Sequence, residues 1–237
     1  MFLSPATMPR ILAHRGQPEG ENTIPAFQSA LKAGADIIET DLQCTSDGVA
    51  VVFHDDDLKR VLGVNQKVSE ITLPNLQRLM PAISSLEQVL IALPNAKFNI
   101  DFKTERAIEP GVAVIRKLNA ESRVLVTSFS ESRVRRLRKL APELAKSLSG
   151  VRVFFAWMLP FAIKFLTKGF SAAQIPVSFG PLPLATSPFI RALKACGLEV
   201  HFWVVNEIAD VEKLLALGAD GFVTDNTAEL VSHLRKA

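Results

Sequence analysis

The sequence has few cysteines, no leader segment and no concentrated charge, and each absence excludes a class of protein. Two cysteines among 237 residues, Cys44 and Cys196, are too few for a disulfide framework. No charged leader with an apolar core and a small-residue cleavage site begins the chain, so we expect a reducing, cytoplasmic location. A net charge of +3 is too diffuse to indicate nucleic-acid binding, although it suits an anionic substrate.

Long apolar runs are also absent. The longest uncharged one, residues 153–163, is well short of the ~20 residues that cross a bilayer, and Pro160 interrupts it. For residues 153–165 we favour a buried helix or loop beside the core. The alternative is an apolar lip that receives a lipid chain or makes peripheral membrane contact. The basic run "RVRRLRK", residues 133–139, is expected to be a solvated helix face, with attraction to anionic membranes as the lesser alternative.

The composition, with 48% hydrophobic and 22% charged residues, is that of an ordinary globular protein. No repeat, low-complexity tract or linker divides it, so residues 1–237 are predicted to form one domain. Short β-branched runs alternate with helical patterns, which predicts a (βα)₈ barrel of the TIM type with functional groups at the carboxyl ends of its strands. The predicted strands are 10–16, 36–43, 97–103, 123–129, 145–149, 174–179, 198–206 and 220–225. Predicted helices with both bounds are 85–93, 107–118, 187–196 and 209–217. Four more helices are predicted without a fixed end: one after Thr23, one from Glu131, one in the apolar stretch after 149 and one from Ala228.

This rule places polar residues from several strands at one mouth. They are His14 and Arg15, Glu39 and Asp41, Asp101 and Lys103, Trp203 and Asn206, and Thr224 and Asp225. The pairs Glu39/Asp41 and Asp101/Lys103 have i, i+2 spacing, so both members of each pair point to one face of their strand. Three carboxylates can therefore converge there.

One further run, "VAVVFHD", is an extra strand. The turn signal "TSDG" before it predicts an antiparallel hairpin with the second barrel strand. A loop of Asp47 and Gly48 places His54 opposite Asp41, and a loop of residues 45–48 places it opposite Glu39. A three-residue loop places it opposite Thr40, facing the wrong way. We favour the first two registers, which return a histidine to the carboxylates.

The grouped side chains indicate a chemistry. Acids without clustered cysteine or histidine favour Mg²⁺ or Ca²⁺ over zinc. Two of the four histidines, His14 and His54, lie at the proposed mouth beside Arg15 and Lys103, which suits acid/base chemistry on a phosphoryl group. Taken singly, the acids can equally be solvated or capping groups, and the histidines can be structural.

The order of short motifs resembles a known family. "HRG", "ENT", "IETD", "SDG", "VVFHDDDLKRV", "NIDFK", "SF", "FWVVN" and "DGFVTD" follow one another as in the glycerophosphodiester phosphodiesterases, through nearly the whole chain and most closely over residues 11–57. The resemblance implies a distorted (βα)₈ barrel with a divalent-metal site. It also implies cleavage of glycerophosphodiesters into glycerol 3-phosphate and an alcohol.

The resemblance also implies a role for each site residue. Glu39, Asp41 and Asp101 would hold the metal, His14 and His54 would be the acid/base pair, Arg15 and Lys103 would grip the phosphate, Asn22 would be a polar site residue, and Trp203 would flank the glycerol. Asn22 also suits a helix cap beside Thr23. The family usually has glutamate where this chain has Asp101, a carboxylate that is one methylene shorter.

Three functions therefore stay open from the sequence. The leading one is hydrolysis of small glycerophosphodiesters. The second is lysophospholipase D activity, in which the apolar segment around residues 154–165 and residues near Phe179 receive an acyl chain. The third is a non-catalytic phosphate-binding barrel that has lost its metal, against which the retained histidines, Lys103 and the three acids argue.

Overall fold

The fold was obtained as a computed structural model, which describes residues 2–3, 8–180 and 182–235. The strands are β1 (Arg10–His14), β2 (Ile37–Cys44), β3 (Ala50–Val52), β4 (Phe98–Phe102), β5 (Val124–Thr127), β6 (Ala145–Lys146), β7 (Ala172–Pro176), β8 (Ser178–Phe179), β9 (Leu182–Pro183), β10 (Glu199–Trp203) and β11 (Gly221–Thr224). Eight strands are hydrogen-bonded in the order β6-β5-β4-β2-β1-β11-β10-β7, and each neighbouring pair is parallel. A parallel bridge between Ser147 and Ala172 spans the remaining gap. The predicted eight-stranded barrel is confirmed, nearly closed.

Helices return the chain between the strands. They are α1 (Ile24–Lys32), α2 (Lys59–Leu62), α3 (Leu73–Leu79), α4 (Leu86–Ala92), α5 (Ile108–Lys117), α6 (Glu131–Leu140), α7 (Gly150–Met158), α8 (Ile163–Thr167), α9 (Ser187–Ala195), α10 (Ile208–Leu217) and α11 (Thr227–Leu234), with 3₁₀ turns at Val68–Glu70, Glu105–Ala107, Glu121–Arg123 and Pro160–Ala162. Local sequence sets their starts. The Thr23 side chain accepts from Ala26 N with a proline in the first turn of α1, and Ser85 and Gln88 form a capping box on α4.

The hydrophobic core lies mainly between the strands and the helices. Phe27 of α1 meets Phe98 of β4 edge-on at 6.2 Å, and both are fully buried. Inside the barrel a smaller cluster, including Leu12, Leu125 and Val223, fills the lower part. The polar residues of the strands are thereby left at the upper, carboxyl end.

The hairpin prediction is confirmed for its existence but wrong for its register. Leu42 pairs with Val52 and Cys44 with Ala50, so the loop is the three-residue one formed by residues 46–48. Thr45 Oγ1 accepts from Val49 N, and Gly48 has φ 80°. This is the geometry of a turn that closes with a left-handed glycine.

That register formally sets His54 opposite Thr40, yet His54 reaches the cavity. The reason is that β3 ends at Val52, and the last backbone bond to β2 is from Phe53 N to Asp41 O at 3.1 Å. Beyond it the chain leaves the sheet, so strand alternation no longer determines where the side chain points. Gln43 Nε2 then holds the departing segment through the carbonyls of His54 and Asp55.

Several predicted strand ends are wrong: β6 ends at Lys146 and not at 149, β10 ends at Trp203 and not at 206, and the predicted strand 174–179 differs at both ends. β7 begins at Ala172, two residues before the predicted start, because the two alanines carry little strand signal. After Pro176 the chain leaves the barrel, and β8 pairs with β9 in a separate two-stranded ribbon. The predicted strand 174–179 is therefore two elements.

Among the residues that the structure describes, no single helix combines the length and apolar composition needed to cross a membrane. The consecutive segments Gly150–Met158 and Pro160–Thr167 meet those criteria together, but they are bent by 116°.

Candidate active site

A cavity of about 580 Å³ opens at the carboxyl ends of the barrel strands. Eight of the nine residues predicted for the site line it: His14, Arg15, Glu39, Asp41, His54, Asp101, Lys103 and Trp203. Asn22 lies behind the lining. Its Nδ2 donates to Asp41 Oδ2 at 3.2 Å, while its Oδ1 accepts from Thr40 at 2.7 Å. Helix capping falls to Thr23 instead, so Asn22 orients a site carboxylate.

The turn after β1 depends on a glycine. Gly16 has φ 88°, and a Cβ there would lie 2.8 Å from Phe27 Cδ1 and 2.9 Å from Ala26 C. The preceding Arg15 adopts φ 54°, a left-handed conformation that is costly for a long side chain. Its backbone N–H donates to Glu39 O at 2.9 Å, which ties the turn to β2. The close approach of helix α1 explains why glycine follows the arginine.

Two of the three acids contact a lysine. Lys103 Nζ lies 2.9 Å from Asp41 Oδ1 and 2.6 Å from Asp101 Oδ2. Burial opposes its charge, but these two carboxylates outweigh that effect and raise the pKa of Lys103. The ammonium group therefore stays charged at the centre of the site.

Two of the acids carry negative charge at a cost. Burial, followed by the charge of Asp41, raises the pKa of Glu39 well above its ordinary value. Burial likewise raises the pKa of Asp101, against the opposing effect of Lys103. Additional positive charge beside Glu39 and Asp101 would lower the pKa of both carboxyl groups and so favour their ionised forms.

His14 is held by a chain of polar groups. Its Nδ1 lies 2.7 Å from Asp225 Oδ1, and Asn206 Nδ2 donates to Asp225 Oδ2 at 2.8 Å. Burial alone would raise the pKa of Asp225, but hydrogen bonds from Asn206 and His14 lower it. An ionised Asp225 therefore fixes the orientation of the His14 ring through Nδ1 and leaves the other ring nitrogen, Nε2, without this partner.

His54 has an equivalent partner in its own neighbour. Its Nδ1 lies 2.6 Å from Asp55 Oδ1, and Arg60 Nε donates to Asp55 Oδ2 at 2.6 Å. Arg60 also pairs with Glu21, which in turn lies 3.2 Å from Arg15 Nη1. The start of α2 is thus linked to the turn after β1 through Arg60 and Glu21.

Arg15 lines the cavity beside two acidic partners. Its Nε is buried and lies 3.4 Å from Asp41 Oδ2, without a hydrogen-bond partner among the described residues, and its Nη1 lies 3.2 Å from Glu21 Oε2. A planar guanidinium in the lining of a cavity is a group that suits a phosphoryl oxygen.

The carboxylates of the cavity are candidate ligands for a cation. Within residues 2–3, 8–180 and 182–235, no three His, Cys, Asp or Glu side chains are grouped so that they could hold a metal ion as they stand. However, Asp101 Oδ1 is buried without a hydrogen-bond partner, and the donors are all carboxylate oxygens. The donor set therefore fits a hard divalent cation, which would share Asp41 and Asp101 with Lys103.

One wall of the cavity is apolar. Phe129 meets Trp203 edge-on at 5.4 Å, and Lys103 Nζ lies 5.7 Å from the centre of the Phe129 ring. The remaining apolar lining includes Leu148, Val151, Val153, Phe154, Leu184 and Val204. The cavity thus combines a charged floor with a wall that suits a hydrocarbon group.

Sequence reasoning missed the partners of the two histidines. Asp225 and Asn206 are among the strand-end residues named from the sequence, and Asp55 lies in the motif "VVFHDDDLKRV", but the sequence assigns a role to none of them. The available signal was that Asp225 directly follows β11 and that Asp55 directly follows His54. It did not identify which ring each carboxylate would meet.

Comparisons with known proteins agree on one family. The sequence model described as "Glycerophosphoryl diester phosphodiesterase family" matches residues 5–229. The chain is 36% identical over 227 residues to the "Probable glycerophosphodiester phosphodiesterase 2" of Mycobacterium tuberculosis, covering 90% of this chain and 86% of that protein. It is also similar to the human "Lysophospholipase D GDPD1", with 28% identity, covering 94% of this chain and 85% of that protein.

The fold agrees with solved structures. The glycerophosphodiester phosphodiesterase from Thermotoga maritima superimposes with a TM-score of 0.82 at 24% identity, covering 97% of this chain and 100% of that one. At that identity the likeness concerns the barrel alone.

Proposed function

This chain belongs to the glycerophosphoryl diester phosphodiesterase family, and we propose that it hydrolyses glycerophosphodiesters to sn-glycerol 3-phosphate and an alcohol with two histidines as acid and base. The observation that carries this proposal is the shared arrangement of His14 and His54. Both line one cavity with Arg15 and Lys103. Each has its Nδ1 held by a carboxylate, which leaves Nε2 to exchange a proton with a substrate.

The reaction needs positive charge at the phosphoryl group. Glu39, Asp41 and Asp101 would hold one divalent cation, Mg²⁺ or Ca²⁺, on the evidence of their donor chemistry and the unpartnered Asp101 Oδ1. Such an ion, when bound, supplies polarisation of a phosphoryl oxygen and lowers the pKa of a coordinated hydroxyl.

The protein's own groups perform the remaining steps. Arg15 and Lys103 bind the phosphoryl oxygens and balance the negative charge that grows on them. One histidine accepts the proton of the attacking oxygen, which belongs to water or to a glycerol hydroxyl, and the other donates a proton to the departing alkoxide. Attack by water gives glycerol 3-phosphate directly, whereas attack by the glycerol hydroxyl gives a cyclic phosphate that water then opens to glycerol 3-phosphate. Trp203, which lines the cavity, flanks the glycerol group of the substrate.

A second candidate function is lysophospholipase D activity. It is favoured by the apolar wall, where Val153, Phe154 and Phe129 could receive part of an acyl chain. The same charged floor would act on the phosphodiester of a lysophospholipid.

The cytoplasm remains the predicted location of the protein, because its two cysteines are too few for a disulfide framework.

One assay compares the two functions. Purified protein is given glycerophosphocholine or lysophosphatidylcholine, with and without Mg²⁺ or Ca²⁺, and glycerol 3-phosphate and choline are measured. We expect glycerol 3-phosphate from the first substrate and a metal requirement. A higher kcat/KM for choline release from the second would assign the lysophospholipase reaction, and no turnover of either would contradict both.

A further inference from the structure

Helices α7 and α8 expose an apolar face that the fold does not use. Phe161 is 85% exposed and Phe165 is 79% exposed. Val151, Phe155 and Met158 are also exposed. We call these five residues the α7–α8 apolar face. Contiguous exposed apolar surface of this kind usually marks an interaction site.

The opposite side of the same helices is anchored in the protein. Val153, Ala156 and Ile163 are buried in the core cluster. Arg152 ties α7 to α6 through Glu131, with Nη2 to Oε1 at 2.7 Å. The two helices meet at a bend of 116°, so together they form a platform and not a continuous rod. The exposed residues therefore stand on a fixed base.

The charged residues of helices α7 and α8 themselves are all basic. No aspartate or glutamate occurs between Glu143 and Glu199. The exposed residues Lys164 and Lys168 stand among the exposed phenylalanines. A second copy of this chain would bring like charges together across the contact, whereas an anionic lipid surface would be attracted.

The face also adjoins the cavity. Gly150, Val151 and Val153 of the same helix line it, and Phe129 at the mouth is 56% exposed. A surface that contacts the α7–α8 apolar face would thus lie beside the entrance to the charged floor. Diffusion of a lipid-derived substrate into the cavity would then need only a short path.

From these observations we infer that the α7–α8 apolar face docks peripherally on anionic lipid bilayers, with Phe161 and Phe165 inserted at the interface and Lys164 and Lys168 facing the headgroups. Aromatic side chains and lysines on one amphipathic surface are the combination that binds such interfaces. Docking depends on this surface alone and does not require the proposed catalytic activity.

Vesicle sedimentation tests the inference. The full chain is mixed with vesicles of phosphatidylcholine alone or with added phosphatidylglycerol, and bound protein is measured. We expect binding to the anionic vesicles that weakens with salt. Phe161→Ser with Phe165→Ser should weaken it by at least about 10-fold, and Lys164→Gln with Lys168→Gln by about 10-fold on anionic vesicles.

The matched control removes apolar side chains elsewhere on the surface. Leu79 on α3 is 45% exposed and Ile91 on α4 is 59% exposed, and Leu79→Ser with Ile91→Ser should leave vesicle binding unchanged. Hydrolysis of water-soluble glycerophosphocholine should be unaffected in all these variants. A Phe161→Trp variant adds a second readout, since its emission should shift to the blue with anionic vesicles.

Three results would overturn the inference. They are wild-type protein that does not sediment with anionic vesicles at low salt, binding that survives Phe161→Ser with Phe165→Ser, and equal loss in the control variant. Analytical ultracentrifugation without lipid addresses the other occupant. A dimer that disappears in the phenylalanine double variant would assign the face to a second copy of the chain.

Discussion

Replacement of Asp225 by asparagine should lower kcat, because it removes the charge that faces His14 and keeps the side-chain size. The Asp225 carboxylate lies 2.7 Å from His14 Nδ1 and is held from its other oxygen by Asn206. When His14 carries a proton in the transition state, an ionised partner stabilises it more than a neutral amide does.

The size of the effect follows from the geometry. Hydrogen bonds to charged groups contribute about 1.5–3 kcal/mol, which corresponds to roughly 10- to 150-fold in rate. The two side chains are 21% and 34% exposed, so solvent screening favours the lower part of that range. We expect kcat to fall about 10- to 30-fold. KM should change little, since Asp225 is not among the residues that line the cavity.

Steady-state kinetics on glycerophosphocholine at saturating metal checks this expectation. Asp210→Asn is the matched control, because it removes the same charge from an exposed pair with Lys213 and should leave kcat unchanged. The metal concentration for half-maximal activity should be the same in both variants. A kcat for Asp225→Asn within about twofold of wild type would refute the positioning role.

Further predictions concern both histidines, one proposed metal ligand and a buried ion pair. His14→Ala or His54→Ala should each lower kcat by about 10²-fold or more, non-additively in the double variant, in steady-state assays. Asp101→Glu should lower the metal concentration for half-maximal activity because the longer carboxylate reaches the ion directly, and Asp101→Asn should raise it, in metal titrations. Burial opposes ionisation of Glu199, but hydrogen bonds from His201 and Arg10 lower its pKa to about 2, so its ionised form stabilises the fold above its ordinary pKa and this stabilisation is lost as pH falls toward 2. Glu199→Gln should therefore lower the free energy of unfolding by about 3 kcal/mol at pH 7 and by less at pH 3, in urea titrations.

Each of these expectations has a contradicting result. Near-normal kcat in either histidine variant would make that ring structural. A weaker metal response of Asp101→Glu would mean that the barrel is already adjusted to aspartate, and an unchanged titration of Asp101→Asn would remove this residue from the site. Equal destabilisation by Glu199→Gln at pH 3 and pH 7 would contradict the assigned pKa.

The convergence of the site could be predicted because it follows from strand-end geometry. Glu39, Asp41 and Asp101 lie on β2 and β4, which pair directly, with Asp41 opposite Asp101. Parallel strands end at one edge, so polar residues at their ends meet whatever the intervening helices are. The i, i+2 spacing then fixes which face they share.

The hairpin register and the histidine partners could not be predicted in the same way. The register depends on a hydrogen bond from Val49 N to Thr45 Oγ1 and on a left-handed glycine, Gly48. Turns of two, three and four residues are of similar free energy for this sequence, so the turn motif alone does not select one of them. His54 reaches the cavity through a segment outside the sheet, where alternation has no meaning. Its bond to Asp55 is made within that segment.

The apolar segment shows a different limit. Composition left residues 153–165 as either core or an apolar lip, and the structure divides them between the two. Val153 and Ile163 are buried, whereas Phe161 and Phe165 are exposed. The bend at Pro160 turns the helical direction, so no single helical period could assign the two faces.

The most direct test of the account is the identity of the products of glycerophosphocholine with wild-type protein, followed by ³¹P NMR and a coupled assay for glycerol 3-phosphate. The account predicts sn-glycerol 3-phosphate and choline in equal amounts, loss of turnover in excess chelator, recovery with Mg²⁺ or Ca²⁺, and no product from the variant lacking both His14 and His54. Formation of phosphocholine and glycerol, or full turnover by protein shown to be metal-free by elemental analysis, would contradict it.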